Sequence, residues 1–270
     1  MTQTTDDVIL SDSLEEVPRR QREGFLTHAL CSRGSCVVEL GGRRFAFGEH
    51  DCMIVPQQKP DWQVVERDQD FSVTVIYASW EILHLATPAS NYGTRGHLAL
   101  YEDPVMHLTA EQYAACAANF DNVRHCLANK GHHFHRELLV NALQRMILDF
   151  FDFHVSLYGE RSVSHQQSQV MQRFVAMLEA GDYLKSREVG WYAERLCVTP
   201  KHLSDVCRAV SGQTAIFWIT RYTAHDIIHR LRTTDLTLEQ LSDLYGFAST
   251  NYFIRYVQNN LGLPPTALRE

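Results

Sequence analysis

The sequence lacks the features of a membrane or secreted protein. No apolar stretch approaches the roughly 18 residues that a membrane span needs, and residues 1–16 are polar and acidic, without the basic and apolar regions of a secretory leader. The seven cysteines are odd in number and form no CxxC pair, which disfavours a disulfide framework. We therefore expect a cytoplasmic protein with no membrane partner and with reduced, mostly buried thiols.

The sequence also lacks the motifs of the common catalytic sites, such as a GxSxG elbow, a P-loop, a dinucleotide fingerprint or HExxH. Residues 49–51 (Glu-His-Asp) are titratable, but adjacent positions point in different directions, and we interpret them as a turn between strands. His132 and His135 could share a helix face. A metal site on the strands would need an HxH pair, but the strand region offers only His28 and His50. We assign no catalytic residue, no metal and no cofactor.

The chain is long enough for one large or two ordinary domains with full cores. Of its 270 residues, 45% are apolar and 21% are charged, as in an ordinary globular protein. The net charge of −7 argues mildly against a polyanionic partner. However, residues 182–270 carry ten Lys or Arg and nine Asp or Glu, so the acidity lies in the N-terminal part.

Short β-type segments fill residues 25–79. Gly41 and Gly42 separate two of them and predict a two-residue hairpin, because glycine reaches the positive φ angles of primed turns. Several short strands in series predict a barrel or a sandwich. Residues 80–108 show no clear period, and we predict a loop with an edge strand there.

Helical periodicity follows over residues 109–129 and 134–155. In the second segment the apolar residues recur every three or four positions and form a stripe long enough to face both its own domain and a partner. We interpret it as a dimer-forming helix; the alternative is a helix packed only on its own sheet. The candidate dimer contacts are Leu139, Leu143, Met146 and Phe150.

A polar segment without an apolar stripe, residues 159–169, predicts a linker between two domains. Residues 1–158 then form an N-terminal domain, and residues 170–270, where helical periodicity resumes, form a C-terminal one. The expected fold class is α+β, with an N-terminal β-barrel or jelly roll followed by helices and an all-α C-terminal domain.

The C-terminal domain contains an internal repeat. Residues 192–198 align with residues 241–247 at an offset of 49, and residues 203–212 align with residues 253–262 at an offset of 50. Capping residues, turn glycines and Pro after the last helix divide each copy into a helix, a tight turn and a second helix. The repeat therefore predicts two helix-turn-helix units, joined by a long helix over residues 215–231 that holds them at a fixed separation.

The most characteristic residues of this pattern are 198–204, 211–212, 234–238, 246–247, 251–253 and 262–265. They resemble the AraC/XylS family of bacterial transcription regulators, and the resemblance covers about 100 residues. The resemblance implies that the second helix of each unit enters the major groove of double-stranded DNA, and that the two helices reach adjacent grooves on one face. It also implies a cupin-like N-terminal domain for sensing and dimerisation, and hence a homodimer, a small-molecule effector and RNA polymerase as further partners.

Carried over by position, the resemblance gives a set of DNA-binding side chains. Asparagine can pair with an adenine edge, and arginine with guanine or a phosphate; the alternative for Lys201 and Arg208 is a merely solvated surface. We expect Leu203 to turn inward, and Tyr252 to lie partly or fully in the core. The candidates are Lys201, His202, Ser204, Asp205 and Arg208 in the first unit, and Thr250, Asn251, Ile254 and Arg255 in the second.

Two residues depart from the family pattern. Asp205 stands where a basic or amide side chain is common, and it repels phosphate unless it accepts from a cytosine amine. Asp226, in the connecting helix, stands where arginine is usual. Two other classes stay open: a small-molecule-binding protein or enzyme with a helical appendage, and a regulator that acts through protein contacts alone.

Overall fold

The computed structural model describes residues 3–18, 24–56, 62–88, 91–159 and 164–269. The chain divides into two compact units, Met1–Glu160 and Arg161–Glu270. The N-terminal unit is built of strands and helices, and the C-terminal unit of helices alone among its described residues, as the expected fold class requires. Every helix within the described residues is too short or too polar to cross a lipid bilayer.

The strands of the N-terminal unit form two antiparallel sheets. The larger sheet has the order β1-β2-β8-β3-β6-β9, and the smaller has the order β5-β4-β7. The strands are β1 (Gln3–Thr4), β2 (Val8–Ser11), β3 (Phe25–Arg33), β4 (Ser35–Leu40), β5 (Arg43–Gly48), β6 (Asp51–Val55), β7 (Trp62–Arg67), β8 (Ser72–Ser79) and β9 (Val105–His107).

The two sheets pack face to face over a shared apolar core. Phe47 and Trp62 of the smaller sheet are buried against Met53, Val75 and other residues of the larger one. Backbone ladders within the described residues do not join one sheet to the other. Of the two expected architectures, the sandwich is therefore present and a closed barrel is not.

The predicted hairpin is confirmed. Strands β4 and β5 pair from Ser35 opposite Gly48 to Leu40 opposite Arg43. Gly41 and Gly42 form the connection, with φ angles of 57° and 72°. Both angles lie in the left-handed region that a two-residue type I′ turn requires.

Most of residues 80–108 is helical, so our prediction of a loop there was wrong. Helix α1 (Trp80–Ala86) follows β8 directly, and the Ser79 side chain caps it by accepting from the Ile82 amide at 3.2 Å. Helix α2 (Asn91–Glu102) leads to β9. Both helices are short, so their apolar residues do not repeat often enough to show a helical period in the sequence. The expected edge strand is confirmed as β9, which pairs with β6 at the edge of the larger sheet.

Two longer helices, α3 (Ala110–Ala128) and α4 (His135–Tyr158), cover the larger sheet. The candidate dimer contacts on α4 are enclosed within the unit itself, with exposures of 2% for Leu139, 0% for Leu143, 0% for Met146 and 4% for Phe150. They pack with β3, β6, β8 and α3 in one core. Their assignment to a dimer surface was wrong, because this core already buries all four side chains.

The C-terminal unit begins inside the segment that we expected to be a linker. Residues 160–163 lie outside the described residues, but α5 (His165–Glu179) starts five positions before the expected 170. The Ser164 side chain accepts from the Gln167 amide at 3.2 Å, and the Gln167 side chain accepts from the Ser164 amide at 3.1 Å. This capping box extends the helix into a polar stretch that lacks an apolar stripe.

The remaining helices of the C-terminal unit follow the predicted repeat. They are separated by short turns, and a 3-10 turn at Asp182–Leu184 precedes them. They are α6 (Val189–Arg195), α7 (Pro200–Ser211), α8 (Ala215–Thr233), α9 (Leu238–Leu244) and α10 (Thr250–Leu261).

Candidate nucleic-acid interface

The two predicted turns have the same backbone geometry. Gly246, between α9 and α10, has a φ angle of 63°, and Cys197, at the equivalent position between α6 and α7, has a φ angle of 58°. A left-handed residue therefore reverses the chain in both units, although only the second unit uses glycine for it.

The hydrogen bonds around the turns are also equivalent. The Val198 amide donates to the Ala193 carbonyl at 3.0 Å, and the Phe247 amide donates to the Ser242 carbonyl at 2.9 Å. Both pairs span five residues and occupy matching positions of the repeat. The sequence repeat is therefore a structural repeat of two helix-turn-helix units.

The first unit presents one polar face of α7. The Thr199 side chain caps this helix by accepting from the His202 amide at 3.1 Å, and Pro200 occupies its first position. Leu203 and Cys207 are fully buried on the inner face, and burial raises the pKa of the Cys207 thiol to about 12. Of the predicted DNA-binding residues, Ser204 is half-buried, and the exposed ones are Lys201, His202, Asp205 and Arg208.

Asp205 and Arg208 interact with each other on this face. The Arg208 Nη1 atom donates to Asp205 Oδ1 at 3.1 Å, and both side chains are more than half exposed. The aspartate therefore neutralises the neighbouring arginine in the free protein. Pairs of this kind are weak in water, and a phosphate or a base edge can replace the carboxylate.

The second unit presents α10, whose sequence contains no acidic residue. The Ser249 side chain accepts from the Tyr252 amide at 3.2 Å and caps the helix, while Phe253 and Val257 are fully buried on its inner face. Of the predicted DNA-binding residues, Asn251 and Arg255 are exposed and Thr250 and Ile254 are half-buried.

Tyr252 lies only partly in the core, because its side chain is 54% exposed. It lies under the Arg255 guanidinium, whose carbon is 5.6 Å from the ring centroid. Arg255 also lines a shallow groove with Tyr256, Asn259 and Asn260. Sequence analysis did not single out Asn259 and Asn260, because they lie beyond the residues to which the resemblance assigns DNA contacts.

Helix α8 connects the two helix-turn-helix units and carries Asp226. The Asp226 side chain is buried and does not lie on a charged surface. Its Oδ2 atom accepts from Tyr245 Oη at 2.7 Å and from Arg230 Nε at 2.9 Å. Burial and the adjacent carboxylate raise the pKa of Tyr245, so the hydroxyl keeps the proton that it donates. Asp226 therefore binds the connecting helix to the end of α9 and does not face a nucleic acid.

Comparison with protein families shows that residues 192–270 match the model of a helix-turn-helix domain. This match contains both repeat copies and the connecting helix. A comparison of the chain with curated proteins found no match.

Among solved structures, the chain is similar to ToxT from Vibrio cholerae bound to an unsaturated fatty acid, with 12% identity, coverage of 97% of this chain and 93% of that one, and a TM-score of 0.47. It is also similar to the AraC-like transcriptional activator CuxR, with 13% identity, coverage of 80% and 72%, and a TM-score of 0.36. TM-scores below 0.5 do not by themselves establish a common fold.

The family match and the geometry of the repeat both indicate DNA binding. Two capped helices with equivalent turns each expose amide, hydroxyl or basic side chains on one face, which is the arrangement that helix-turn-helix proteins use to read duplex DNA. Residues 192–270 belong to the helix-turn-helix domain family, the kind of domain that DNA-binding transcription regulators carry.

Proposed function

We propose that the protein recognises a specific DNA sequence by placing α7 and α10 in successive major grooves on one face of the duplex. The observation that supports this proposal is the structural equivalence of the two turns, at Cys197 and Gly246. It gives each unit one outward polar helix with a capped N-terminus. A helix N-terminus favours phosphate, and the side chains of its first turns reach base edges.

The two helices have unequal roles in this proposal. Helix α10 offers an asparagine and an arginine on an acid-free helix, so Asn251 and Arg255 supply most of the base reading. On α7 the Asp205 carboxylate weakens the attraction of Arg208 for phosphate. The first unit then positions the protein mainly through Lys201 and His202, with lower sequence selectivity.

A homodimer belongs to the same proposal, because two linked contacts raise the effective concentration of the second one. The inner stripe of α4 is not available for it, whereas Leu148 on the same helix is 48% exposed. Leu148→Asp should therefore raise the dissociation constant of the dimer in sedimentation-velocity measurements. A dimer that is unchanged by this substitution would place the contact elsewhere.

A small-molecule effector and a contact with RNA polymerase complete the proposal, and both derive from the family resemblance. Because Phe47 and Trp62 fill the space between the two sheets, an effector that enters there has to displace them. Such displacement would change the fluorescence of Trp62. A library of small metabolites that leaves the fluorescence and the thermal stability unchanged would argue against an effector site between the sheets.

The decisive experiment is the selection of genomic DNA fragments on the purified full chain at about 150 mM salt, where nonspecific phosphate binding is suppressed. We expect a few fragments with a shared sequence to be enriched, and Arg255→Ala to reduce the enrichment strongly. The matched control is Arg33→Ala, which removes an exposed arginine from β3 of the N-terminal unit and should leave the enrichment intact. No enrichment by the wild-type protein would refute sequence-specific binding.

A further inference from the structure

Arg187 joins the beginning of the first helix-turn-helix unit to the turn of the second. It lies two residues before α6, and its Nη1 atom donates to the backbone carbonyl of Tyr245. Its guanidinium carbon stands 4.0 Å from the ring centroid of Phe247 and 5.9 Å from that of Tyr256. One side chain therefore contacts both residues that flank the left-handed Gly246.

The surroundings of Arg187 suit a guanidinium and not an ammonium group. The side chain is half-buried, and burial lowers its pKa, yet a guanidinium stays charged at neutral pH. A planar group can stack on an aromatic face and donate in its own plane at the same time, which a lysine cannot do. The Phe247 ring in turn packs against Phe253 of α10, with a centroid distance of 5.4 Å.

Tyr245 is held at both of its ends. Its carbonyl accepts from Arg187, at the start of the first unit, and its hydroxyl donates to Asp226, on the connecting helix. Asp226 is also paired with Arg230 on the same helix. The end of α9 is thus fixed to two different parts of the C-terminal unit, and α10 follows it after only a short turn.

We propose that Arg187 is a positioning residue that fixes the orientation of α10 relative to α7 and thereby sets the spacing of the two DNA segments that the protein accepts. This inference rests on the proposed function, namely that both helices read the duplex. Arg187 acts through the turn of the second unit and does not itself touch DNA in this role.

A fixed orientation has a measurable consequence on DNA. One inserted base pair between the two segments moves the second segment by about 3.4 Å along the axis and turns it by about 35°. Two rigidly held helices cannot follow both changes, so the wild-type protein should lose affinity sharply. If α10 can shift relative to α7, the loss should be smaller.

The test uses the full chain and a duplex of about 40 base pairs selected by the wild-type protein from a random pool. The dissociation constant is measured for this duplex and for a second one with a single base pair inserted between the two segments that α7 and α10 of one copy protect. We expect the insertion to weaken wild-type binding about tenfold or more, and to weaken binding of Arg187→Ala less than about threefold. Arg187→Lys keeps the positive charge but loses the planar group that stacks on Phe247. Its ratio of dissociation constants should therefore resemble that of Arg187→Ala.

Controls separate this inference from the proposed function and from unfolding. Arg255→Ala should weaken binding to both duplexes and leave their ratio as in the wild type, because it removes a contact and not an orientation. If Arg187→Ala fails to fold by circular dichroism, Phe247→Leu removes the stacked ring and keeps an apolar side chain. A ratio that stays at the wild-type value in the folded variant refutes the positioning role, whereas a wild-type protein that selects no duplex refutes the proposed function.

Discussion

Substitutions at the two equivalent turn positions should change stability in opposite directions. Gly246 has a φ angle of 63°, and an added Cβ would meet no heavy atom within 4 Å. Gly246→Ala therefore costs only the left-handed strain of about 1–2 kcal/mol, reduced by about 0.4–1 kcal/mol because alanine restricts the unfolded chain. The midpoints of these ranges give a net loss of about 0.8 kcal/mol. Cys197 is exposed and already carries this strain, so Cys197→Gly should gain a similar amount.

Native-state hydrogen exchange on the full chain measures both effects at the turns themselves. The amides of Val198 and Phe247 donate across the two turns, and a change of about 0.5–1 kcal/mol alters their exchange rates roughly two- to fivefold. We expect faster exchange at Phe247 in Gly246→Ala and slower exchange at Val198 in Cys197→Gly. Gly246→Val should be worse than Gly246→Ala, because a β-branched residue tolerates positive φ poorly. Changes of the same sign in Gly246→Ala and Cys197→Gly would refute the equivalence of the two turns.

Three further predictions address the cores and the interface. Burial lowers the pKa of His28 from 6.5 to about 4, so between these pH values the unfolded chain binds more protons than the folded chain. The free energy of unfolding in urea should therefore fall by roughly 3 kcal/mol as the pH drops from above 6.5 to about 4, and this loss should be absent in His28→Leu. Asn251→Ala should cost about 1–3 kcal/mol of binding free energy on the selected duplex and little on random DNA. Lys201→Ala should weaken binding to both DNAs and lower the slope of log K against log[salt] by about one. Filter binding over a series of salt concentrations distinguishes the two effects. Leu143→Ala should cost about 2–5 kcal/mol in urea unfolding, since the side chain is fully buried, without changing the dissociation constant of a folded dimer.

The C-terminal unit was predictable because its signals are local. A cap, a proline at the first helical position and a residue at the turn act within four or five positions of the chain. Cys197 shows that even an atypical turn residue can be located, because the repeat aligns it with Gly246. The same reasoning explains why the hairpin at Gly41 and Gly42 was predicted correctly.

In the N-terminal unit, local sequence signals do not predict which elements pack against each other. The stripe on α4 identified the buried face of the helix, and Leu143 and Met146 are indeed buried. Hydrophobic periodicity predicts that one face of a helix is buried, but it does not predict which surface buries it. Here the covering surface is the sheet of the same unit and α3, and the sequence alone could not distinguish this from a second copy.

The two departures from the family pattern also have different physical meanings, which only the structure separates. Asp226 is 5% exposed and bound to Arg230 and Tyr245, so its charge is compensated internally. Asp205 is exposed and paired with Arg208 on the face that would meet DNA. In both pairs the carboxylate weakens the attraction of the arginine for phosphate. The buried pair of Asp226 and Arg230 stays closed, whereas DNA can replace the Asp205 carboxylate at Arg208. Nonspecific affinity should consequently be low, and selective binding should depend on base contacts and on the fixed geometry of the two recognition helices.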